Sequence, residues 1–131
     1  MRQELLTAIT QSMNTLTQFG VSQELPWSQN GQSLFRKNMK KIYIDNASQE
    51  QTTLFPVLSG SDVYQTLNKV LVYVAVDAKN PPTQTTSMVS KVLQARDTAV
   101  IVASDKEADY TVENDEDVTI YTFEFRFGVT L

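Results

Sequence analysis

The chain has 131 residues, of which 41% are hydrophobic and 20% are charged, and its formal net charge is −4. This balance is typical of one globular domain, residues 1–131, and the net charge argues against indiscriminate binding to nucleic acid. The sequence has neither cysteine nor histidine, which excludes disulfides, thiol catalysis and histidine as a base or metal ligand. The longest apolar run, residues 70–76, is far shorter than the roughly 20 residues of a membrane helix, so we expect no membrane association.

The first half of the chain predicts one helix and two short strands separated by polar segments. Arg2–Gln18 has apolar residues at helical spacing and predicts an amphipathic helix that can cover a sheet. In the irregular segment that follows, we expect Trp27 to fold back onto the core. The remaining predictions here are a strand at Ile42–Ile44, a polar turn or loop at 46–53, a short strand at Leu54–Leu58 and a turn at 59–62.

The second half predicts two long strands and a second helix. Val63–Ala78 predicts a central strand, because its valines alternate on one face while the other face is also apolar. Thr83–Arg96 predicts the second helix, with Thr83, Thr85 or Thr86 as its N-cap. Residues 98–103 fit either an extension of this helix or a further strand. The acidic segment 104–117 is expected to be a connecting loop.

The strongest strand prediction is Val118–Leu131, in which aromatic and other apolar residues occupy every second position from Tyr121 onward. The expected order is therefore helix, three strands, helix and strand. It predicts an α+β fold with a mostly antiparallel sheet of about four strands and two helices packed on one face. The aromatic face of the last strand is expected to lie beneath the helices. Its polar face, which includes Glu124 and Arg126, is then the side that can line a channel or meet a neighbour.

Seven of the fifteen acidic residues lie in the segment 104–117, and this segment ends in Asp115, Glu116 and Asp117. Three interpretations remain open, namely a solvated loop that keeps the next strand soluble, a charged protein interface and a site for a hard cation. The glycine of the calcium-loop pattern is absent from this segment, and we predict no metal and no cofactor.

Four of the eleven basic residues fall within six positions, at Arg36, Lys37, Lys40 and Lys41. They could protect an exposed strand edge, contact phosphate, or pair with the acidic segment of a neighbouring copy in a ring. Charge would then set the register of the ring more than its affinity. No pair of residues in the sequence suggests a catalytic dyad, so we predict that the protein is not an enzyme.

The order of elements resembles that of the tail terminator (tail completion) proteins of long-tailed bacteriophages, lambda-like class. The resemblance lies in an N-terminal helix (RQELLTAITQSM), a long strand that ends in prolines (SDVYQTLNKVLVYVAVDAKNPP), a helix (TTSMVSKVLQARD) and a closing strand after an acidic segment (DVTIYTFEFRFGVTL). It spans nearly the whole chain, and it consists of element order and pattern.

The resemblance implies a structural virion protein, made in the host cytoplasm, that caps the tail tube as a hexameric ring. Such a ring ends tube polymerisation, joins the tail to the head, and passes DNA through its channel. Its partners would be other copies of the chain, the tail-tube protein and a head-completion or neck protein. The residues expected at its contact surfaces are Arg36, Lys37, Lys40, Lys41, Asp115, Glu116, Asp117, Glu124 and Arg126. A neck or head-closure protein and a small non-enzymatic adaptor remain as alternatives.

Overall fold

The structure is a computed structural model that describes residues 1–28, 31, 33–55 and 63–130, with side chains described for these except at 52–55, 63–65 and 130. In chain order the elements are α1 (Arg2–Ser12), β1 (Gly20–Val21), β2 (Lys41–Ile44), β3 (Ser48–Phe55), β4 (Val63–Asp77), α2 (Thr85–Thr98), β5 (Asp105–Asp115) and β6 (Val118–Thr130). The α+β class predicted from the sequence is confirmed. The predicted turn at 59–62 and the end of the predicted strand Leu54–Leu58 lie outside the described residues.

Within the described residues the strands form one six-stranded sheet in the order β1-β2-β4-β6-β5, and β3 also pairs with β4. The β1–β2 pairing is parallel, while β4 pairs antiparallel with β2, β3 and β6, and β5 pairs antiparallel with β6. The described sheet is therefore mixed and has six strands, so the predicted number of about four strands is wrong, while four of the five pairings are antiparallel as predicted for most of the sheet. The two additional strands are β1 and β5, neither of which was predicted as a strand, and β3 is longer than the strand predicted from Leu54.

The acidic segment is a strand, not a loop. Residues 105–115 pair with β6 along their whole length, from Asp105 opposite Gly128 to Asp115 opposite Val118. The high charge of the segment concealed an alternation of period two, since acids and Thr111 occupy the odd positions while Ala108, Tyr110 and Val112 occupy even ones. The backbone of β6 gains a hydrogen-bonding partner in this way, which outweighs the low strand propensity of Asp and Glu.

The polar segment expected to be a turn or loop at 46–53 belongs mostly to β3. Its backbone pairs with the first half of β4, with Ser48 opposite Lys69 and Glu50 opposite Leu67. The predicted strand that began at Leu54 therefore begins earlier, at Ser48. Polar side chains did not prevent strand formation here, because the ladder with β4 is made by backbone groups that every one of these residues carries.

Most of the core lies against one face of the sheet, which we call the first face. Val70, Val72 and Val74 of β4 are fully buried there, as are Phe123, Phe125 and Phe127 of β6. The same cluster contains residues of both helices, namely Leu5, Leu6, Ala8 and Ile9 of α1 and Met88, Val92 and Ala95 of α2. A smaller cluster on the opposite, second face joins Tyr43, Ala75 and Ile120 to Phe35, which precedes β2.

The helices differ from the prediction at their ends. α1 ends at Ser12 and continues as one 3-10 turn, 13–15, so it does not reach Gln18. The side-chain oxygen of Gln18 accepts a bond of 2.8 Å from the backbone N–H of Gln84, and the Gln18 N–H donates to Gln84 Oε1 at 2.9 Å. Gln84 is also the N-cap residue of α2 and makes no side-chain cap, so the prediction of a threonine N-cap is wrong. Beyond α2, residues 99–103 form neither helix nor strand.

Candidate interaction surfaces

The basic and acidic segments meet at one end of the sheet within a single subunit. Arg36, in the loop before β2, donates a hydrogen bond to and forms an ion pair with Asp115, the last residue of β5. Lys79, just after β4, pairs with Asp117 at 3.3 Å between Nζ and Oδ1. We call this the charged end, defined by residues 36–41, 79 and 115–117. In one of the three interpretations of the sequence, the basic segment pairs with the acidic segment of a neighbouring copy; for Arg36 and Asp115 that partner is provided by the same chain.

Lys40 has a structural role at the charged end through its backbone. Its φ of +72° lies in the left-handed region. In that conformation its N–H donates to the carbonyl of Ala75 at 2.8 Å and its carbonyl accepts from Gly20 N–H at 3.1 Å, which ties β4 and β1 to the start of β2. The side chains of Lys40 and Lys41 are exposed, and they form no ion pair within the described part of the chain.

A two-residue turn, Glu116 and Asp117, joins β5 to β6 at the charged end. Glu116 occupies the first position with a φ of +56°, a region that favours glycine. Its side chain is exposed, and the residues that flank the turn, Asp115 and Val118, are the last pair of the ladder. The turn thus places three consecutive acids beside the basic segment, and two of the three are ion-paired.

Arg126 is the centre of a second charged cluster, on the second face of β5 and β6. Its guanidinium pairs with Glu107 at 3.2 Å, with Asp109 at 2.9 Å and with Glu124. The register explains the grouping, because Glu107 lies opposite Arg126 and Asp109 lies opposite Glu124, so all four side chains project from one face. The hydrogen bond to Asp109, and then those to Glu107 and Glu124, raise the pKa of Arg126 against the opposing effect of its burial. One positive and three negative groups leave this cluster with a net negative charge.

An aromatic cluster covers part of the second face near β2. The ring of Phe35 stacks on Tyr73 with centroids 5.1 Å apart, and Trp27 meets both rings edge-on. Trp27 does fold back as expected, but 44% of it stays exposed, and its Nε1 donates to Asp45 at 3.4 Å. Burial, and secondarily the negative charge of Asp45, raise the pKa of Tyr73. The cluster packs the loop before β2 against the sheet and so positions Arg36.

The exposed edge of the sheet at β5 was not predicted from the sequence. Nine of its eleven residues are exposed, and among the described residues β5 pairs only with β6. On the first face, Tyr110 is 43% and Val112 49% exposed beside a groove of about 370 Å³ between β5 and α2. The period-two alternation of residues 105–115 was the sequence signal that could have revealed this strand.

No group of three or more acidic side chains in the described ranges is arranged to hold a metal ion. Among the same residues, neither helix combines the length and the apolar character needed to cross a bilayer. The structure brings Arg36 and Asp115 together and separately brings Glu124 and Arg126 together.

No protein-family model matches this chain, and no curated protein sequence matches it.

Proposed function

We propose that this protein is a structural subunit that caps the tail tube of a long-tailed bacteriophage as a ring. In this proposal the ring ends tube polymerisation and provides the surface that joins the tail to the head. The order of elements along the chain suggests this function, through its resemblance to the tail terminator proteins. We also infer that α1 and α2 cover one face of the sheet, since their buried residues share a core with the valines of β4.

The observation that carries the proposal is the convergence of the two charged segments at one end of the sheet. Arg36 and Asp115 are 79 positions apart in the sequence and are joined there by an ion pair. Lys40, Lys41 and Glu116 lie beside that pair, exposed and outside any described ion pair. A surface with both signs of charge side by side suits a contact that must fix the orientation of a neighbouring subunit or of the tube end.

In the assembled ring of this proposal, the second face of β5 and β6 lines the channel. Glu124 is satisfied by Arg126, but the cluster around Arg126 retains an excess of carboxylates. An excess of negative charge on a channel wall would repel the phosphates of passing DNA and so limit adhesion during transfer. We therefore assign Glu124 and Arg126 to the channel side, and residues 36–41 with 115–117 to the contacts between subunits.

Solution mass and tube assembly test this proposal. The protein should form a ring-sized oligomer, alone at high concentration or with tail-tube protein. It should also shorten the tubes that the tail-tube protein forms. A strict monomer that leaves tube length unchanged contradicts the proposal. Binding to a filled head without any effect on tubes would instead identify a neck or head-closure protein. Neighbouring genes for a tail-tube and a tape-measure protein would be an independent line of support.

The charged end is tested by Lys40→Glu combined with Lys41→Glu. The matched control is Lys91→Glu with Arg96→Glu on α2, which changes the net charge equally at a different surface. We expect the first double variant to impair assembly while circular dichroism and the unfolding midpoint stay close to those of the wild type. Equal assembly by both double variants would remove the charged end from the subunit contact.

A further inference from the structure

The long edge strand β5 presents two chemically different faces along an open backbone edge. Side chains at its odd positions project on the second face, and five of these six are acidic: Asp105, Glu107, Asp109, Glu113 and Asp115. On the first face, Ala108, Tyr110 and Val112 stand in a row. Within the described residues, β5 pairs with a strand on one side only, which is β6. On its other side, the N–H and C=O groups of alternate residues therefore have no strand to bond to.

The first face of β5 borders a groove that can take apolar side chains. This groove, of about 370 Å³, lies between β5 and α2. Its apolar lining comes from Val89 and Leu93 of α2, Tyr110 and Val112 of β5, and Tyr121 of β6. Tyr110 and Tyr121 have ring centroids 6.3 Å apart, so the groove floor is aromatic. An added strand beside β5 would place alternate side chains above this floor.

The charges on β5 decide which strand can be added. If two copies paired β5 antiparallel to β5, odd positions would face odd positions. With Tyr110 opposite itself, Glu107 would lie against Glu113 and Asp105 against Asp115. Like charges directly opposite one another destabilise a strand pair, so a second copy of β5 is disfavoured. A strand with basic side chains on the second face is favoured instead, because those side chains would lie next to the carboxylates of β5.

We propose that the open edge of β5 is a docking site for an extended segment of a partner protein in which basic and apolar side chains alternate. The segment adds a strand to the sheet, so backbone hydrogen bonds supply part of the affinity. Its apolar side chains enter the groove beside Tyr110 and Val112, and its lysines or arginines pair with Glu113 and with the excess carboxylates around Arg126. The proposal does not depend on the tail-terminator function.

A panel of peptides of about eight residues, long enough for an added strand, tests the site on the full chain. The probe alternates lysine with valine. The controls are a peptide that alternates glutamate with valine, a peptide with the same lysines and valines in two blocks, and the alternating peptide with N-methyl groups on every second amide. We expect the alternating lysine peptide to bind, to shift the amide resonances of β5, and to lose about tenfold or more in affinity in each control.

Two protein variants locate the binding. Glu113→Lys should weaken binding of the lysine peptide, whereas Glu50→Lys, the same charge change on an exposed residue of β3, should leave it unchanged. Equal affinity for the block or N-methylated peptides would overturn the proposal, because the attraction would then be non-specific charge. It would also be overturned if the β5 resonances did not shift, or if the chain alone dimerised through β5.

Discussion

Arg36 and Asp115 form an ion pair that fastens the loop before β2 to the last residue of β5. The two side chains are 43% and 52% exposed, so water screens their attraction. The pair therefore fixes the geometry of the charged end more than it stabilises the fold. A charged segment that looks like half of a contact between subunits can thus have a partner in its own chain.

A double-mutant cycle measures this pair. We expect Arg36→Gln and Asp115→Asn to show a coupling of about 0.2–1 kcal/mol in urea unfolding, because exposed ion pairs contribute no more than that. The coupling should shrink at high salt, as ions screen exposed charges. The more exposed pair of Lys79 and Asp117, at 77% and 73%, is the control and should couple more weakly. A coupling that is large and insensitive to salt would contradict this reading of the pair.

The Arg126 cluster should be more important for stability. Arg126 is 22% exposed, and Arg126→Leu leaves Glu107, Asp109 and Glu124 together without their cation. We expect this change to lower the free energy of unfolding by about 1–3 kcal/mol at pH 7, through lost charge-assisted bonds and repulsion among carboxylates. Adding Glu107→Gln and Glu124→Gln to the variant should recover part of the loss, whereas no recovery would show that repulsion is not the cause.

The pH dependence of the Arg126 effect follows from its pKa, which is raised in the folded state. A raised pKa means that the stabilising charge is fully present below the ordinary arginine pKa and is lost only above it, which is beyond any working pH. In the wild type, Arg126 itself should therefore add no slope to stability between about pH 5 and 9. Urea unfolding at several pH values measures this.

Tyr73 should ionise at higher pH than a solvated tyrosine. Its pKa is raised by burial first and by the charge of Asp45 second. An acid whose folded pKa is raised contributes stability that is complete below its ordinary pKa and is lost as pH rises through the folded value. The change in absorbance at alkaline pH measures the ionisation of Tyr73 when the absorbance of the Tyr73→Phe variant is subtracted from that of the wild type. Asp45→Asn should move it only partly back, and a full return would mean that burial is not the main cause.

The turn between β5 and β6 can be stabilised at one residue. Glu116 has a φ of +56°, which costs an L-residue energy that glycine does not incur. We expect Glu116→Gly to raise the free energy of unfolding by about 0.5–1 kcal/mol, after allowing for the greater freedom of glycine in the unfolded chain. Glu116→Val is the matched control and should be destabilising, because a β-branched residue is poorly suited to this region. Equal stability of the two variants would contradict the role of the backbone angle.

Several elements were predictable because their apolar residues alone determine them. The alternation from Tyr121 onward predicted β6, and the valines of β4 predicted a long central strand; the structure has them at Val118–Thr130 and Val63–Asp77. The residues buried in α2, Met88, Val92 and Ala95, are also those at helical spacing in the sequence. Burial of such residues is favourable in any arrangement of the chain, so their pattern can be recognised in the sequence before the fold is known.

The polar strands β3 and β5 could not be recognised with the same certainty, because their formation depends on a partner. None of the side chains described in these strands, at 48–51 and 105–115, is buried, and what the strands gain is the hydrogen-bonding edge of β4 and of β6. The candidate surfaces depend on this pairing as well. Lysines and acids could be counted in the sequence, but which carboxylate meets Arg36 or Arg126 depends on the strand register.

The sequence by itself determined the α+β class, the two helices and the two long apolar strands, because hydrophobic periodicity acts locally. Only the tertiary structure decided that the acidic segment is an edge strand, that Arg36 pairs with Asp115 in the same chain, and that Arg126 holds three carboxylates. These relationships join residues distant in sequence through backbone pairing, and backbone hydrogen bonds carry no side-chain signature from which the pairing could be read.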